Sequence, residues 1–283
     1  MGSGGDPPPA QTRLFRGTRP LKRWRYVGVF SEELSACAAL VQIGPARQSF
    51  WALHDRSDGS MRERTRMLPR RGEVELTHAP TRSGAPGGAR APGRLRIRDR
   101  GVDLDVLLEE DAGIEALCPH GRAAVWTRKQ AGIEAHGTLS LDGGPARPIR
   151  ALAVIDDTAG HHARETEWRW SAGVGEGAGG EALAWNLVSG VNDPPTGSER
   201  AVWVAGEPHE VPAVTFGEDL ASIRCEDGSL LSFTAETERS RSDNLLILRS
   251  DYRAPFGTFS GTLPGGVELA GGRGVVEHHR ARW

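Results

Sequence analysis

The 283-residue sequence predicts an all-β protein with two consecutive antiparallel β-barrels, and three observations support this prediction. Apolar and polar residues alternate with a period of two in many short segments, whereas helical periodicity is scarce. The 37 glycines and 18 prolines supply turn signals between these segments, which is typical of sandwiches and barrels. The length exceeds what one small barrel needs, so we expect two of them.

We expect a disordered tail over residues 1–12, an N-terminal β domain over 13–150 and a C-terminal β domain over 151–283. Two segments rich in small residues, 81–93 and 173–180, are predicted surface loops, and the second contains five glycines.

Hairpins are predicted first in the N-terminal half. Segments 94–98 and 102–106 alternate apolar residues with arginines and aspartates, respectively, on either side of a tight turn at 99–101. Arginines are therefore expected to face aspartates across the pair. A second hairpin is predicted over 138–155, because Asp-Gly-Gly at 142–144 permits the positive φ values of a hairpin turn.

The C-terminal half continues the same pattern. Its turn signals include Gly206 and the small residues around Gly257 and Gly261, where a bend is expected. Strands are predicted over 201–205, 230–234, 245–248, 252–253 and 257–261.

Charge and hydropathy exclude several classes of function. Of the 35 basic residues 19 lie in residues 1–100, whereas 28 of the 37 acidic residues follow, and an acidic second half repels nucleic acid. No apolar run reaches the ~18 residues of a membrane span, and the start lacks an apolar leader, which predicts a cytoplasmic protein. The motifs of serine hydrolases, P-loop NTPases and dinucleotide-binding proteins are missing.

The cysteines Cys37, Cys118 and Cys225 are odd in number and far apart, so neither a disulfide framework nor a thiolate zinc site is expected. We interpret them as buried thiols in a reducing compartment. A nucleophilic pair formed by Cys118 and His120 is the less favoured alternative.

Several ordered motifs carry a resemblance to a known family. The chain resembles the family catalogued as domain of unknown function 2804, clearly over about residues 150–283 and more thinly over 13–150. The matching segments are Ile-Asp-Asp-Thr-Ala-Gly at 155–160, Arg-Glu-Thr-Glu-Trp-Arg-Trp at 164–170, Trp-Asn-Leu-Val-Ser-Gly-Val-Asn at 185–192, Val-Trp-Val-Ala-Gly at 202–206 and the end at 274–283.

This family is similar to the double-lipocalin group that includes carotenoid hydratase, tocopherol cyclase and lipocalin-like cyclases. The resemblance implies two lipocalin-like (calycin) barrels packed side by side, and it implies no established activity, because a fold does not determine a function. Where the resemblance leads us to expect an aromatic residue, the chain has Asp157, which implies a more polar pocket.

Two tryptophans are candidate ligand-binding residues. On an extended strand Trp168 and Trp170 share one face, opposite Glu167 and Arg169. Two indoles on one wall suit an apolar pocket or the stabilisation of a cation, and the alternative is a pair of core tryptophans.

Carboxylates are the candidate acids. Asp156 is the first candidate catalytic residue, since protonating an alkene requires a buried carboxylic acid, and Asp157 is a candidate ligand-binding residue. The alternative is a turn in which an aspartate accepts hydrogen bonds from the backbone of 158–160. Glu199 is the second candidate acid, with an ordinary ion pair to Arg200 as its alternative.

Other polar residues complete the candidate site. Asn186 and Asn192 are candidate ligand-binding residues because polar groups are dense between two strands there. Glu277 and His279 lie on a predicted last strand with Trp283 closing a barrel; Glu277 is a candidate ligand-binding residue and His279 a candidate catalytic residue. Adjacent histidines such as 161–162 and 278–279 point to opposite faces of a strand, so each pair can offer at most one ligand. We predict no metal site, and the alternative is a site that combines one histidine of each pair with Glu277.

The sequence leads to three functional hypotheses. The first is a protein that binds a hydrophobic small molecule in a barrel pocket. The second is a hydratase or cyclase that acts without a cofactor on an isoprenoid or polyketide-like substrate, through protonation by a carboxylic acid. The third is a structural protein with filled barrels. No cofactor, nucleic acid or membrane span is expected, and the sequence does not assign an oligomeric state.

Overall fold

The computed structural model describes residues 13–77, 92–245 and 248–282, which form strands and turns without a helix. This confirms the all-β prediction. The chain divides into two compact units: Met1–Gly113 with Trp126–His161, and Ile114–Val125 with His162–Trp283. The predicted boundary near residue 150 stays a prediction.

The first unit is built on one antiparallel sheet in the order β6-β5-β4-β3-β12-β11-β9-β8-β7. A separate ribbon, β1-β2, precedes it, and β10 pairs with β11 beside this order. The strands are β1 (Phe15–Arg16), β2 (Arg19–Pro20), β3 (Lys22–Phe30), β4 (Leu34–Ile43), β5 (Ala46–Asp55), β6 (Ser60–Arg66), β7 (Val74–Leu76), β8 (Gly93–Asp99), β9 (Val102–Leu108), β10 (Ile114–His120), β11 (Ala123–Leu141) and β12 (Arg147–Gly160). Of these, β10 and the first residues of β11 belong to the second unit.

The second unit has one antiparallel sheet in the order β16-β15-β14-β13-β21-β20-β19-β18-β17. Its strands are β13 (Glu165–Gly177), β14 (Ala182–Ser189), β15 (Ala201–Val204), β16 (Glu207–Glu210), β17 (Val214–Phe216), β18 (Ser222–Cys225), β19 (Leu230–Leu245), β20 (Leu248–Leu263) and β21 (Val267–Arg282).

The two sheets repeat one topology. In each of them the first long strand (β3 or β13) pairs with the last (β12 or β21), and the remaining strands follow as meanders on either side in the same order. Each sheet curls, because β7 contacts β4 and β5 in the first unit and β17 contacts β14 in the second. Each unit is therefore a single sheet wrapped around its own core.

Apolar side chains pack the inside of both sheets. In the first unit they come from every long strand and include Val27, Trp51, Leu104 and Ile155. In the second unit Trp185 is fully buried and its ring packs edge-on against Phe259 at 4.8 Å between centroids.

The predicted hairpins are confirmed. In the turn between β8 and β9, Arg100 and Gly101 have φ values of 50° and 76°, as a tight hairpin requires. Arginines face aspartates across this pair, with Arg94 Nε 2.7 Å from Asp105 Oδ1. Asp142, with a φ of 51°, and the glycine that follows it turn β11 into β12.

The prediction of a flexible loop at 173–180 is wrong for its first five residues, which lie in β13. Glycine is required there by close packing: a Cβ at Gly173 would lie 2.3 Å from an indole carbon of Trp185, and one at Gly175 would lie 2.5 Å from the carbonyl oxygen of Gly271. These glycines therefore allow core side chains and neighbouring strands to approach the backbone of β13 closely, and they do not make this segment a loop.

Some expectations fall outside the described residues. These are the tail at 1–12, the loop at 81–91, the middle of the segment 245–248 and the role of Trp283. The described part of the chain has no helix long and apolar enough to cross a membrane. The three cysteines are buried thiols that form no disulfide.

Candidate functional site

The interior of the first unit contains a cluster of buried charged side chains beside its apolar core. Asp157 follows the core residues Ala153 and Ile155 on the inward face of β12. Its carboxylate accepts hydrogen bonds from Arg25 Nη1 at 2.8 and 3.0 Å and from Arg128 Nη2 at 2.6 Å. All three side chains are at most 3% exposed.

Glu110 completes this cluster. Its carboxylate pairs with Arg25, and Gln130 Nε2 donates to it at 3.3 Å. Burial lowers the pKa of Arg25, but the carboxylates of Asp157 and Glu110 outweigh this effect and hold the pKa above its ordinary value. Two arginines and two carboxylates thus balance each other, and Asp157 is fully occupied by protein partners.

Asp156 lies on the opposite face of β12. It accepts hydrogen bonds from Trp24 Nε1 at 3.0 Å and from Thr158 Oγ1 at 2.9 Å, and it pairs with Lys129 Nζ at 2.6 Å. Both aspartates therefore lie within a strand, and the alternative of a turn aspartate is wrong.

The predicted tryptophan face exists in the second unit. Trp168 and Trp170 lie on one side of β13, with Trp168 opposite His279 and Trp170 opposite Glu277 on β21. Trp168 Nε1 donates to Glu277 Oε1 at 2.7 Å, and the Trp168 and His279 rings lie 4.3 Å apart between centroids. His279 Nε2 also lies 2.8 Å from the hydroxyl of Ser250.

A tryptophan–carboxylate hydrogen bond recurs in both units. Trp24 on β3 donates to Asp156 on β12, and Trp168 on β13 donates to Glu277 on β21, which are topologically equivalent strands. In each unit one residue of the neighbouring strand lies directly opposite the tryptophan, and the carboxylate lies two positions before that residue in the sequence. The motif Trp-Arg-(Tyr or Trp) at 24–26 and 168–170 is the sequence trace of this repeat.

A buried chain of hydrogen bonds joins the remaining candidates. Trp170 Nε1 donates to Asn186 Oδ1 at 2.8 Å, and Asn186 Nδ2 donates to the carbonyl oxygen of Glu199 at 2.7 Å. Asn192 Nδ2 in turn donates to Glu199 Oε2 at 3.2 Å. Arg200 donates to the carbonyl oxygens of Pro194 at 3.0 Å and Val211 at 3.3 Å, and its ion pair with Glu199 stays a prediction.

A cavity of about 370 Å³ lies in the second unit, where β13 begins and β14 ends. Its apolar walls include Val191, Pro194 and Ala163, and its polar groups include His120 and Asn192. The other lining residues are Cys118, Pro119, Glu165, Thr166, Glu167, Gly190 and Asp193.

Charges at the cavity are compensated. Glu167 accepts hydrogen bonds from Arg280 Nη2 and His278 Nε2, both at 2.9 Å, and these lower its pKa to about 2. Glu165 pairs with Arg282 at 3.2 Å. Among the described residues no three His, Cys, Asp or Glu side chains are grouped to hold a metal ion.

The structure thus distributes the predicted residues over three places. Asp156 and Asp157 lie on two faces of the first sheet, and the tryptophan face and the cavity lie in the second unit. Sequence reasoning missed Lys129, Arg128 and Glu110, which carry no motif, and it gave little weight to His120. The signal for His120 was its position two residues after Cys118 on one strand, since both side chains line the cavity.

Several solved structures share this fold, and three of them are similar to this chain over most of their length. They are an AttH-like protein from Nitrosomonas europaea (12% identity, TM-score 0.55, 98% of both chains covered), kievitone hydratase from Nectria haematococca (10%, 0.56, 91% of this chain and 88% of the other) and CghA (9%, 0.51, 93% and 88%). At such identities the likeness defines the fold alone.

The class is therefore an all-β protein of the double-lipocalin type, as the sequence predicted. The family model of the domain of unknown function 2804 matches residues 10–283, so the chain belongs to that family over nearly its whole length. No curated protein matches the sequence.

Proposed function

We propose that the protein binds a small molecule, with an apolar body and one hydrogen-bonding end, in the cavity of the second unit. The single observation that carries this proposal is the composition of the cavity. Its volume of about 370 Å³ lies in the range of ligand sites, and its walls combine Val191, Pro194 and Ala163 with His120 and Asn192.

The cavity replaces the barrel interior as the proposed ligand site. Apolar side chains of the described residues pack the inside of both sheets, which favours the third hypothesis for the interiors themselves. A structural protein with filled barrels is therefore the second candidate function. The two candidates differ in whether the cavity holds a ligand.

The contacts of Asp156 do not support the hypothesis that the protein is a hydratase or cyclase. An acid catalyst must have a proton to give, whereas Asp156 accepts hydrogen bonds from an indole and a hydroxyl and pairs with the ammonium of Lys129. One structural neighbour is named as a hydratase, and another is CghA. The likeness to the hydratase supports the hypothesis only by analogy of fold.

Native mass spectrometry of the purified protein tests the proposal, before and after incubation with a mixed lipid and isoprenoid extract. We expect a bound small molecule on the wild-type protein. Ala163→Phe, which fills the cavity, should abolish binding, whereas Ala182→Phe, at an exposed site on β14, should leave it unchanged. Absence of any bound molecule, or equal binding to both variants, would favour the structural role.

A further inference from the structure

Most of the exposed apolar side chains lie in the first unit. Among the described residues the large hydrophobic side chains that are exposed are Leu14, Phe15, Met67, Leu68 and Leu117, and all but Leu117 belong to this unit. Leu68 is the most exposed of them, at 83%. Single exposed apolar residues are ordinary on a protein surface, whereas a group of them indicates an interaction site.

Three segments bring these side chains to one end of the first unit. The β1-β2 ribbon lies on the turn between β4 and β5, because the backbone N–H of Gly44 donates to the carbonyl oxygen of Leu21 at 2.7 Å and a Cβ at Gly44 would lie 3.3 Å from the Phe15 ring. On β6, Arg66 lies opposite Ser49 of β5, so the chain beyond Arg66 runs toward the same turn. The name ribbon end is used below for residues 13–20, 44–47 and 66–73.

The loop between β6 and β7, which carries two of the exposed apolar side chains, is closed by its own hydrogen bonds. Arg66 Nη2 donates to Glu73 Oε1 at 2.6 Å, and the backbone N–H of Glu73 donates to the carbonyl oxygen of Arg70 at 3.4 Å. Gly72 has a φ of 83°, a conformation that glycine adopts without strain. The loop therefore holds its apolar side chains out from the unit in a fixed position.

The ribbon end carries an excess of positive charge. Its three segments contain seven arginines and one carboxylate, that of Glu73. Glu73 already pairs with Arg66 and lies 3.9 Å from Arg70. The exposed arginines that have no carboxylate within these segments are Arg13, Arg16, Arg47 and Arg71. Such a surface attracts an anionic partner and repels a second copy of itself.

We propose that the ribbon end docks on an anionic lipid surface, with Phe15, Met67 and Leu68 among the headgroups and the arginines against the lipid phosphates. Exposed apolar side chains enter the boundary between headgroups and acyl chains, and each basic residue near an anionic leaflet adds to the attraction. Arginine suits this position because its apolar stem lies along the inserted side chains while its guanidinium stays at the phosphates.

A lipid surface fits this end better than a nucleic acid does. A nucleic acid would contact the arginines and could stack a base on Phe15, but it has no counterpart for exposed leucine and methionine side chains. The inference is independent of the proposed function, because the ribbon end belongs to the first unit and the cavity to the second.

Flotation of the full chain with lipid vesicles tests the inference. We expect binding to vesicles of phosphatidylcholine with about a third of phosphatidylserine, and about tenfold weaker binding to phosphatidylcholine alone. Arg70→Gln combined with Arg71→Gln should weaken binding about thirtyfold, since each basic residue at such a surface contributes about fivefold. Leu68→Ser should weaken binding about tenfold.

The second unit supplies matched controls for both kinds of substitution. Leu117→Ser removes the remaining exposed large hydrophobic side chain among the described residues, and Arg224→Gln removes an exposed arginine on β18. Both controls should bind the anionic vesicles as the wild-type protein does.

Three outcomes would overturn the inference. The first is no binding of the wild-type protein to the anionic vesicles, and the second is equal binding of the wild-type protein and either ribbon-end variant. The third is tighter binding to a single-stranded oligonucleotide that the arginine variant weakens and Leu68→Ser does not, which would assign the ribbon end to a nucleic acid. Hydrogen exchange of the wild-type protein decides without any substitution: vesicles should protect residues 66–73, and unchanged exchange there would overturn the inference.

Discussion

The charge cluster inside the first unit makes the role of Asp157 measurable. Asp157→Asn keeps the shape of the side chain and removes its charge, which leaves Arg25 and Arg128 with Glu110 as their one remaining carboxylate. Removing one partner of a buried ion pair costs ~3–5 kcal/mol, a large share of the ~5–15 kcal/mol by which a folded domain is stable. We expect urea denaturation to show a loss of about this size.

A matched substitution separates burial from charge. Asp142 also pairs with an arginine, Arg62, at 2.6 and 2.8 Å, but 67% of its side chain is exposed, so Asp142→Asn should change stability little. Adding Arg128→Met to Asp157→Asn should recover part of the loss, because it removes one of the two cations that would otherwise share the single carboxylate of Glu110. Equal stability of the Asp157 and Asp142 variants would refute this reasoning, and a loss of ligand binding without a loss of stability would restore Asp157 as a ligand-binding residue.

Two further predictions concern stability. Burial lowers the pKa of Lys22 from 10.5 to about 6, so the unfolded chain binds more protons between these values and stability should rise with pH from about 6 to 10. Lys22→Met should flatten this rise and stabilise the protein at pH 7 by several kcal/mol, as unfolding curves at pH 6, 8 and 10 would show; an unchanged slope would contradict the assignment. Gly137→Ala should lower Tm, because its Cβ would lie 1.9 Å from the carbonyl oxygen of Asp105, whereas Gly271→Ala, with open space around it, should be nearly neutral. Equal Tm values for these two glycine variants would contradict this prediction, because they would show that the strands can move apart without a loss of stability.

Local patterns determined what could be predicted about the candidate site. The common face of Trp168 and Trp170 followed from the two-residue period of a strand, and the structure has it. The same rule separated Asp156 from Asp157, since neighbours on a strand point to opposite faces. No local rule supplied their partners: Lys129 and Arg128 lie on β11, and Glu110 lies in the segment that follows β9.

The sequence by itself determined the all-β class, the hairpin turns and the arginine–aspartate pairs of β8 and β9, because alternation, turn chemistry and cross-strand pairing act between residues that are close along the chain. Only the tertiary structure decided which carboxylates are occupied by cations, since those pairs join residues up to 132 positions apart, as in Arg25 and Asp157. It also decided that His120 meets Asn192, 72 positions away, at a cavity. Burial gives a charge or an imidazole its chemistry, and burial is a property of the folded chain.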